Sequence, residues 1–192
     1  MADFEIAFDE TMINEGGYVN DPDDRGGETY RGVARAFHGS WPGWKIVDAL
    51  KQKFPQDFRK HLDDHEELQT LVKSFYREKF WDVLHGDEIS DQHLANEVFD
   101  TGVNQGAATA ARYWQEALNL LNRNGRDYPD IEVDGRVGEA TLSTTKAFLA
   151  RNKNRTDTLV KLLNILQGMR YVELARKTPS QRKFMHGWLS RC

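Results

Sequence analysis

Cysteine is almost missing from this chain: of 192 residues only Cys192 carries a thiol, so no disulfide can form within it and packing alone must hold the fold. Proline is scarce as well, at 5 residues, and no low-complexity tract occurs. With 39% hydrophobic and 29% charged residues, disordered and fibrous architectures are excluded. No apolar run approaches the roughly 20 residues a membrane span requires, so stable membrane insertion is not expected. The opening MADFEIAFDE lacks the basic n-region and unbroken apolar h-region of a secretory signal. Synthesis in the cytoplasm without a signal peptide is therefore the expectation. An excess of positive charge is absent too: the formal net charge of −4 argues against a nucleic-acid partner, whose phosphates call for a basic surplus. Arg123, Arg126, Arg151, Lys153 and Arg155 are the candidates for a local basic patch.

What is present is helical periodicity. Phe4, Phe8, Thr11, Met12 and Glu15 recur on one face, and Gly16-Gly17 then supplies a stop, which predicts a first helix over about 3–15. The stretch YVNDPDDRGGETYRGV combines turn residues with short β-branched and aromatic runs, predicting a loop or small hairpin. From about residue 45 onward nearly every segment reads as helix, so the class is mainly α. A soft boundary near residue 92 divides an amino-terminal region, 1–91, from a helical carboxy-terminal region, 92–192.

The residue needing explanation is Glu15, a carboxylate central on an apolar stripe at the negative end of a helix. Burial and the unpaired carbonyls of a helix end both disfavour its charged form. A carboxyl that keeps its proton near neutral pH suits a general acid protonating a glycosidic oxygen. The plainer reading is a structural carboxylate paired with an arginine or reaching solvent. Asp21, Asp23 and Asp24 follow on the returning loop and offer the second carboxylate that glycosidases use. Thr29 and Tyr30 could hold a water or a sugar hydroxyl, Gly16 and Gly17 leave room for substrate, and Tyr18 and Tyr30 are candidate sugar platforms. Asp100 and Asn104 share a helix face at i, i+4 and either reach the cleft or serve structure.

Metal chemistry fits poorly. DPDDRGGETYRG opens like a calcium-binding loop but has Gly32 where the bidentate glutamate belongs. In DIEVDGRVGEAT the acid Glu139 comes two residues early, and His61 with His65 lacks the HExxH arrangement. No metal and no cofactor is expected. Trp41, Trp44, Trp81, Trp114 and Trp188 either line a glycan groove or, as is usual for tryptophan among apolar neighbours, fill the core.

The stretch NEGGYVNDPDDRGGETYRGVA resembles the signature of glycoside hydrolase family 108, the bacterial and phage muramidases, with its Glu-Gly-Gly-Tyr element followed by Asn-Asp-Pro, Asp, Gly-Gly and Thr. The resemblance extends through FYREKFWDVLHGDEI and HLANEVFDTGVNQG to RKFMHGWLSRC, nearly the whole chain. The second half, with VDGRVGEATL, is similar to the helical peptidoglycan-binding region that accompanies such catalytic parts. The resemblance implies a lysozyme-like helical fold and hydrolysis of the β-1,4 bond between N-acetylmuramic acid and N-acetylglucosamine. It implies Glu15 as catalytic acid, with Asp24 and Thr29 near the family's spacing and Asp21 a competitor for the second carboxylate. Peptidoglycan glycan strands are the implied partner, and a monomer is expected to act on the cell wall after release through a holin-like route. A non-catalytic peptidoglycan-binding or secretion-assisting protein and a lytic transglycosylase are the alternative readings.

Overall fold

The computed structural model describes residues 1–13, 16–20, 26–151 and 155–192. Its first helix, α1 (Phe4–Met12), buries Phe4, Ala7, Phe8 and Thr11 along one stripe, the i, i+3, i+4, i+7 pattern of a core-facing helix. It ends short of the expected 3–15 span: the stripe runs out at Thr11, and Ile13 sits in a turn with 83% of its surface exposed. By contact, the chain divides into two units, residues 8–78 and residues 1–7 with 79–192.

In the 8–78 unit three short strands follow, β1 (Tyr18–Asn20), β2 (Glu28–Tyr30) and β3 (Val33–Ala34), antiparallel in the order β1-β2-β3. The pairing sets Tyr18 against Tyr30, Val19 against Thr29 and Asn20 against Glu28. The two residues between β2 and β3, Arg31 and Gly32, both have positive φ, 41° and 76°, as the twist of a two-residue hairpin requires. Gly32 adopts this without penalty. Arg31 is held in place from outside, its carbonyl accepting from the Tyr76 hydroxyl at 2.8 Å and its guanidinium pairing with Asp63 at 3.1 Å.

Helices α2 (Gly43–Lys53), α3 (Arg59–Leu62) and α4 (Glu66–Tyr76) complete this unit. The His65 ring caps α4 by accepting from the Leu68 amide at 3.3 Å, and Glu66 and Glu67 in the first turn suit its positive end. His65 is thus a cap, and His61 stacks on Phe54 at 3.9 Å, so the pair serves local structure. The core is aromatic: Trp41 meets Trp44 edge-on at 5.5 Å and Phe75 at 6.4 Å, and Phe8 meets Tyr76 at 5.7 Å.

In the second unit, Phe4, Trp81 and Phe99 form a mutually edge-on triad with centroids 5.6–5.9 Å apart. Trp81 lies in a π-helical turn, Arg77–Trp81, that extends α4. Helix α5 (Gln92–Gln105) is capped by Asp91, whose carboxylate accepts from the Leu94 amide at 3.0 Å. Gly106, at φ 94° and ψ 141°, breaks the chain sharply before α6 (Ala107–Leu121), a conformation essentially reserved for glycine. Helices α7 (Glu139–Leu149), α8 (Arg155–Lys177) and α9 (Met185–Leu189) follow.

The long connection between α6 and α7 is held by carboxamides in place of strand pairing. Asn119 both donates to and accepts from the backbone of Ile131, at 2.8 and 2.9 Å. The buried Gln115 donates to Asp134 at 2.8 Å and to the Arg136 carbonyl at 2.9 Å, and accepts from the Gly135 amide at 2.9 Å. Asp134 is therefore occupied by Gln115 and the Arg136 amide, and Asp130 by Asn122. At one end of this connection Arg123, Arg151 and Arg155 converge on the buried Asp127 carboxylate, whose pKa falls to about 2, first through the Arg123 bonds. Three of the five residues proposed for a basic patch thus surround one acid; Lys153 lies outside the described residues.

Candidate functional site

Most of the residues expected to act on substrate fall between positions 15 and 30 of the chain. Glu15, Asp21 and Asp24 lie outside the described residues, while Gly16, Gly17, Tyr18, Thr29 and Tyr30 lie within them. Among the described residues, a Cβ built on Gly16 or Gly17 would meet nothing within 4 Å.

Alternation along β2 places Glu28 and Tyr30 on one face and Thr29 on the other. The face carrying Glu28 holds a charge cluster. Its carboxylate accepts from the Tyr18 hydroxyl at 3.1 Å, from Arg35 at 2.9 Å and from the Lys51 ammonium. Arg35 also forms a fork with Asp48 on α2, at 2.8 and 2.6 Å, the bidentate geometry that gives such pairs their directionality. Burial pushes the Glu28 carboxyl up, but the bonds from Lys51, Arg35 and Tyr18 outweigh it and hold its pKa below the ordinary carboxylate value. Lys51 is held above its ordinary value in return, because its bonds to Glu28 and Tyr18 outweigh burial. Glu28 is thus a fixed anion bonded to three donors. It is suited to locking the sheet against α2 and unsuited to giving up a proton.

That cluster also defines Tyr18. Its hydroxyl is tied to Glu28, Lys51 and Arg59 lie 5.1 and 5.2 Å from its ring centre, and Phe58 meets it edge-on at 5.0 Å. Tyr30, expected as a sugar platform, is instead a core residue with 1% exposure. Its hydroxyl bonds to the Leu62 carbonyl and Asp63 at 3.2 Å each and accepts from Gln69 at 2.9 Å, fastening the sheet to the α3–α4 turn. Thr29 is half-buried, with its hydroxyl 3.4 Å from the Gly27 carbonyl.

Asp100 and Asn104 belong to the other unit, on α5. Asp100 pairs with Arg191 at 3.0 Å, both side chains largely buried, and Asn104 accepts from the Tyr171 hydroxyl at 2.7 Å. One turn before Asp100 stands Glu97, a carboxyl that the sequence reading passed over. Burial first, then the nearby Asp100 charge, push its pKa up to about 7, against partial relief from Thr101 and Asn164. Its signal was available in the sequence, since Leu94, Glu97, Val98 and Thr101 follow the same 3–4 spacing as the buried stripe. Glu28, Arg35, Asp48 and Lys51 gave no comparable signal, because a β-strand and a helix 13 to 23 residues apart had to be brought together first. Of the tryptophans, Trp41, Trp44, Trp81 and Trp114 are core, whereas Trp188 is half-buried. Among the described residues no group of three acidic, histidine or cysteine side chains could hold a metal ion.

A small sheet after the first helix, followed by helices carrying a buried polar network, is the setting in which the comparisons with known proteins are decisive. The family model described as glycosyl hydrolase 108 matches residues 8–106, just over half of the chain, from the middle of α1 through α5. The chain belongs to the glycosyl hydrolase 108 family. A second model, described as a predicted peptidoglycan domain, matches residues 109–192, from the first turn of α6 onward. The chain is also similar to a solved structure described as "Structure of Brucella abortus SagA", with a TM-score of 0.62 and 24% identity, covering 98% of this chain and 88% of that one. A comparison with curated protein sequences finds no match. The architecture is that of a lysozyme-like fold, mainly α with a three-stranded antiparallel sheet after the first helix. A glycosyl hydrolase 108 region joined to a peptidoglycan domain marks this protein as a glycoside hydrolase acting on peptidoglycan, with cell-wall glycan as its partner. No helix among the described residues is long and apolar enough to cross a membrane.

Proposed function

We propose that the protein is an endo-acting muramidase, hydrolysing the β-1,4 bond between N-acetylmuramic acid and N-acetylglucosamine with Glu15 as the general acid. The observation that carries this reading is the family match over residues 8–106, which contains the intact Glu15-Gly16-Gly17-Tyr18 element running into β1. In this mechanism protonated Glu15 donates to the leaving sugar oxygen, while Asp24 or Asp21 stabilises the oxocarbenium-like transition state or orients water. Gly16 and Gly17 give the glycan room to approach, and Thr29 holds a water or a sugar hydroxyl in this reading. The Glu28 cluster fixes Tyr18 and the sheet, so that the segment joining β1 to β2 starts and ends on a rigid frame. The carboxy-terminal region, from about residue 92, holds the polymer while the amino-terminal region cuts it. As a monomer of phage-lysin type, the protein reaches the wall through a holin-like route.

The test is incubation of purified sacculi with wild type and Glu15→Gln, followed by analysis of the released sugar ends. Wild type should release reducing N-acetylmuramic acid ends, and Glu15→Gln should lose at least about 10²-fold in rate with an unchanged circular dichroism spectrum. Full lytic activity in a folded Glu15→Gln variant would remove Glu15 from the mechanism. Anhydro ends would mean transglycosylation, and binding without any release would mean a non-catalytic wall protein.

A further inference from the structure

Within the unit of residues 1–7 and 79–192, a cavity of about 210 Å³ opens where the α5–α6 break meets the α8–α9 corner. Its lining combines Asn104, Gln105, Thr109, Arg170, Leu174 and Trp188 with the buried Tyr171. Gln105 is engaged already, its carbonyl oxygen accepting from the Tyr113 hydroxyl at 3.1 Å and its amide nitrogen reaching the Gln167 carbonyl at 3.5 Å, while the other polar side chains of the wall offer donors. The Asn104 carbonyl oxygen already accepts from Tyr171 at 2.7 Å, which leaves its amide nitrogen to offer. Thr109 adds a hydroxyl and stands in the first turn of α6, where the positive end of the helix dipole also favours an anion. Arg170 adds a guanidinium held only loosely by Glu173, at 3.9 Å. Among the described residues no carboxylate lines the cavity. The remaining wall is apolar: Trp188 stacks on Tyr171 with centroids 5.1 Å apart and planes 15° apart, beside Leu174.

Three donors, one of them a cation held at 3.9 Å by Glu173 from outside the lining, face an aromatic wall and make a receptor for a carboxylate that carries a small alkyl group. The volume sharpens this. It is below the roughly 300 Å³ at which pockets for whole ligands begin, so it takes a single residue and excludes a disaccharide. We propose that this cavity binds the free carboxylate end of the stem peptides of peptidoglycan, so that this part of the chain reads the peptide and leaves the glycan to the amino-terminal region. The proposal rests on the reading that the protein acts on peptidoglycan.

Three soluble probes test it by calorimetric titration of the full chain: N-acetylglucosaminyl-N-acetylmuramyl tetrapeptide, the same compound with its peptide carboxyls amidated, and the peptide-free disaccharide. Wild type should bind the first at least about tenfold more tightly than the other two, the scale of one charge-assisted hydrogen bond. Arg170→Gln, at a half-exposed position, should remove that preference while keeping the unfolding transition of wild type. Equal affinity for the carboxylate and amidated forms, equal affinity for the disaccharide, no binding of the tetrapeptide, or an unaltered Arg170→Gln would each overturn the assignment. Sacculus hydrolysis by the same preparations separates the two readings: absent hydrolysis with the probe preference intact defeats the muramidase reading alone, and hydrolysis without the preference defeats the peptide site alone.

Discussion

Replacing Glu97 with glutamine should make the protein more stable, and increasingly so as pH rises. The Glu97 carboxyl is surrounded by Asp100 and Thr101 on its own helix, by Asn164 on α8, and by Cys192, whose thiol its charge helps to push up. The cation of this neighbourhood, Arg191, is paired with Asp100. Glu97 therefore titrates at about 7 in the fold against an ordinary value of 4.5. The folded state holds this proton more tightly than the unfolded chain, so below pH 4.5 both states carry it and stability is undiminished. As pH climbs through 7 stability is lost, and at ~1.4 kcal/mol per tenfold change in proton affinity the ionised carboxylate costs about 3 kcal/mol once fully formed. Glutamine keeps the acceptor for the Thr101 hydroxyl and carries no charge. Urea unfolding of wild type and Glu97→Gln at pH 5, 6, 7 and 8, with the denaturant slope checked for constancy, reads the difference directly. The advantage of glutamine should widen by roughly 2 kcal/mol between pH 5 and pH 8. A difference that stays flat over that interval, or narrows, would show that Glu97 is not a strained acid.

Two further substitutions probe the frame of the same unit. Gly106→Ala meets no atom within 4 Å of the new Cβ yet must adopt φ 94°, so its cost is conformational, of order 1–3 kcal/mol; an unchanged unfolding midpoint would show that the α5–α6 break does not need glycine. Gln115→Leu keeps the apolar volume but strips partners from the Gly135 amide, the Arg136 carbonyl and Asp134. It should lower stability by at least about 2 kcal/mol and speed hydrogen exchange at Gly135, and unaltered exchange there would mean that the connection holds without its carboxamide clamp.

The parts of this molecule legible in the sequence are those set by short-range spacing. Helical periodicity identified the class, and the turn-rich stretch after α1 marked the sheet. Tyr30 shows where that legibility stops. Its closeness to Glu15 in sequence suggested a sugar platform, but a period of 2 places it on the buried face beside Val33, and the groups that claim its hydroxyl, Leu62, Asp63 and Gln69, lie more than 30 residues away. The Glu28 cluster was hidden for the same reason. Asp100 and Asn104 were correctly seen to share a helix face, but what each meets there, Arg191 and Tyr171, depends on packing 67 to 91 residues distant.

Glu28 and Glu97 together show what the proposed chemistry demands of Glu15. Both are substantially shielded from water, yet one is held ionised and the other leans towards its protonated form. The difference lies in the neighbours: Glu28 faces Lys51 and Arg35, while Glu97 faces Asp100, which holds the nearby Arg191 for itself. Burial alone therefore does not make an acid. The proposed acid therefore needs a neighbour of like charge. In the proposed mechanism Asp21 or Asp24 is that neighbour. The carboxylate that stabilises the transition state is then the one that keeps Glu15 protonated, and the two titrate as a coupled pair. Removing it would impair the reaction twice, once at the sugar and once at the acid.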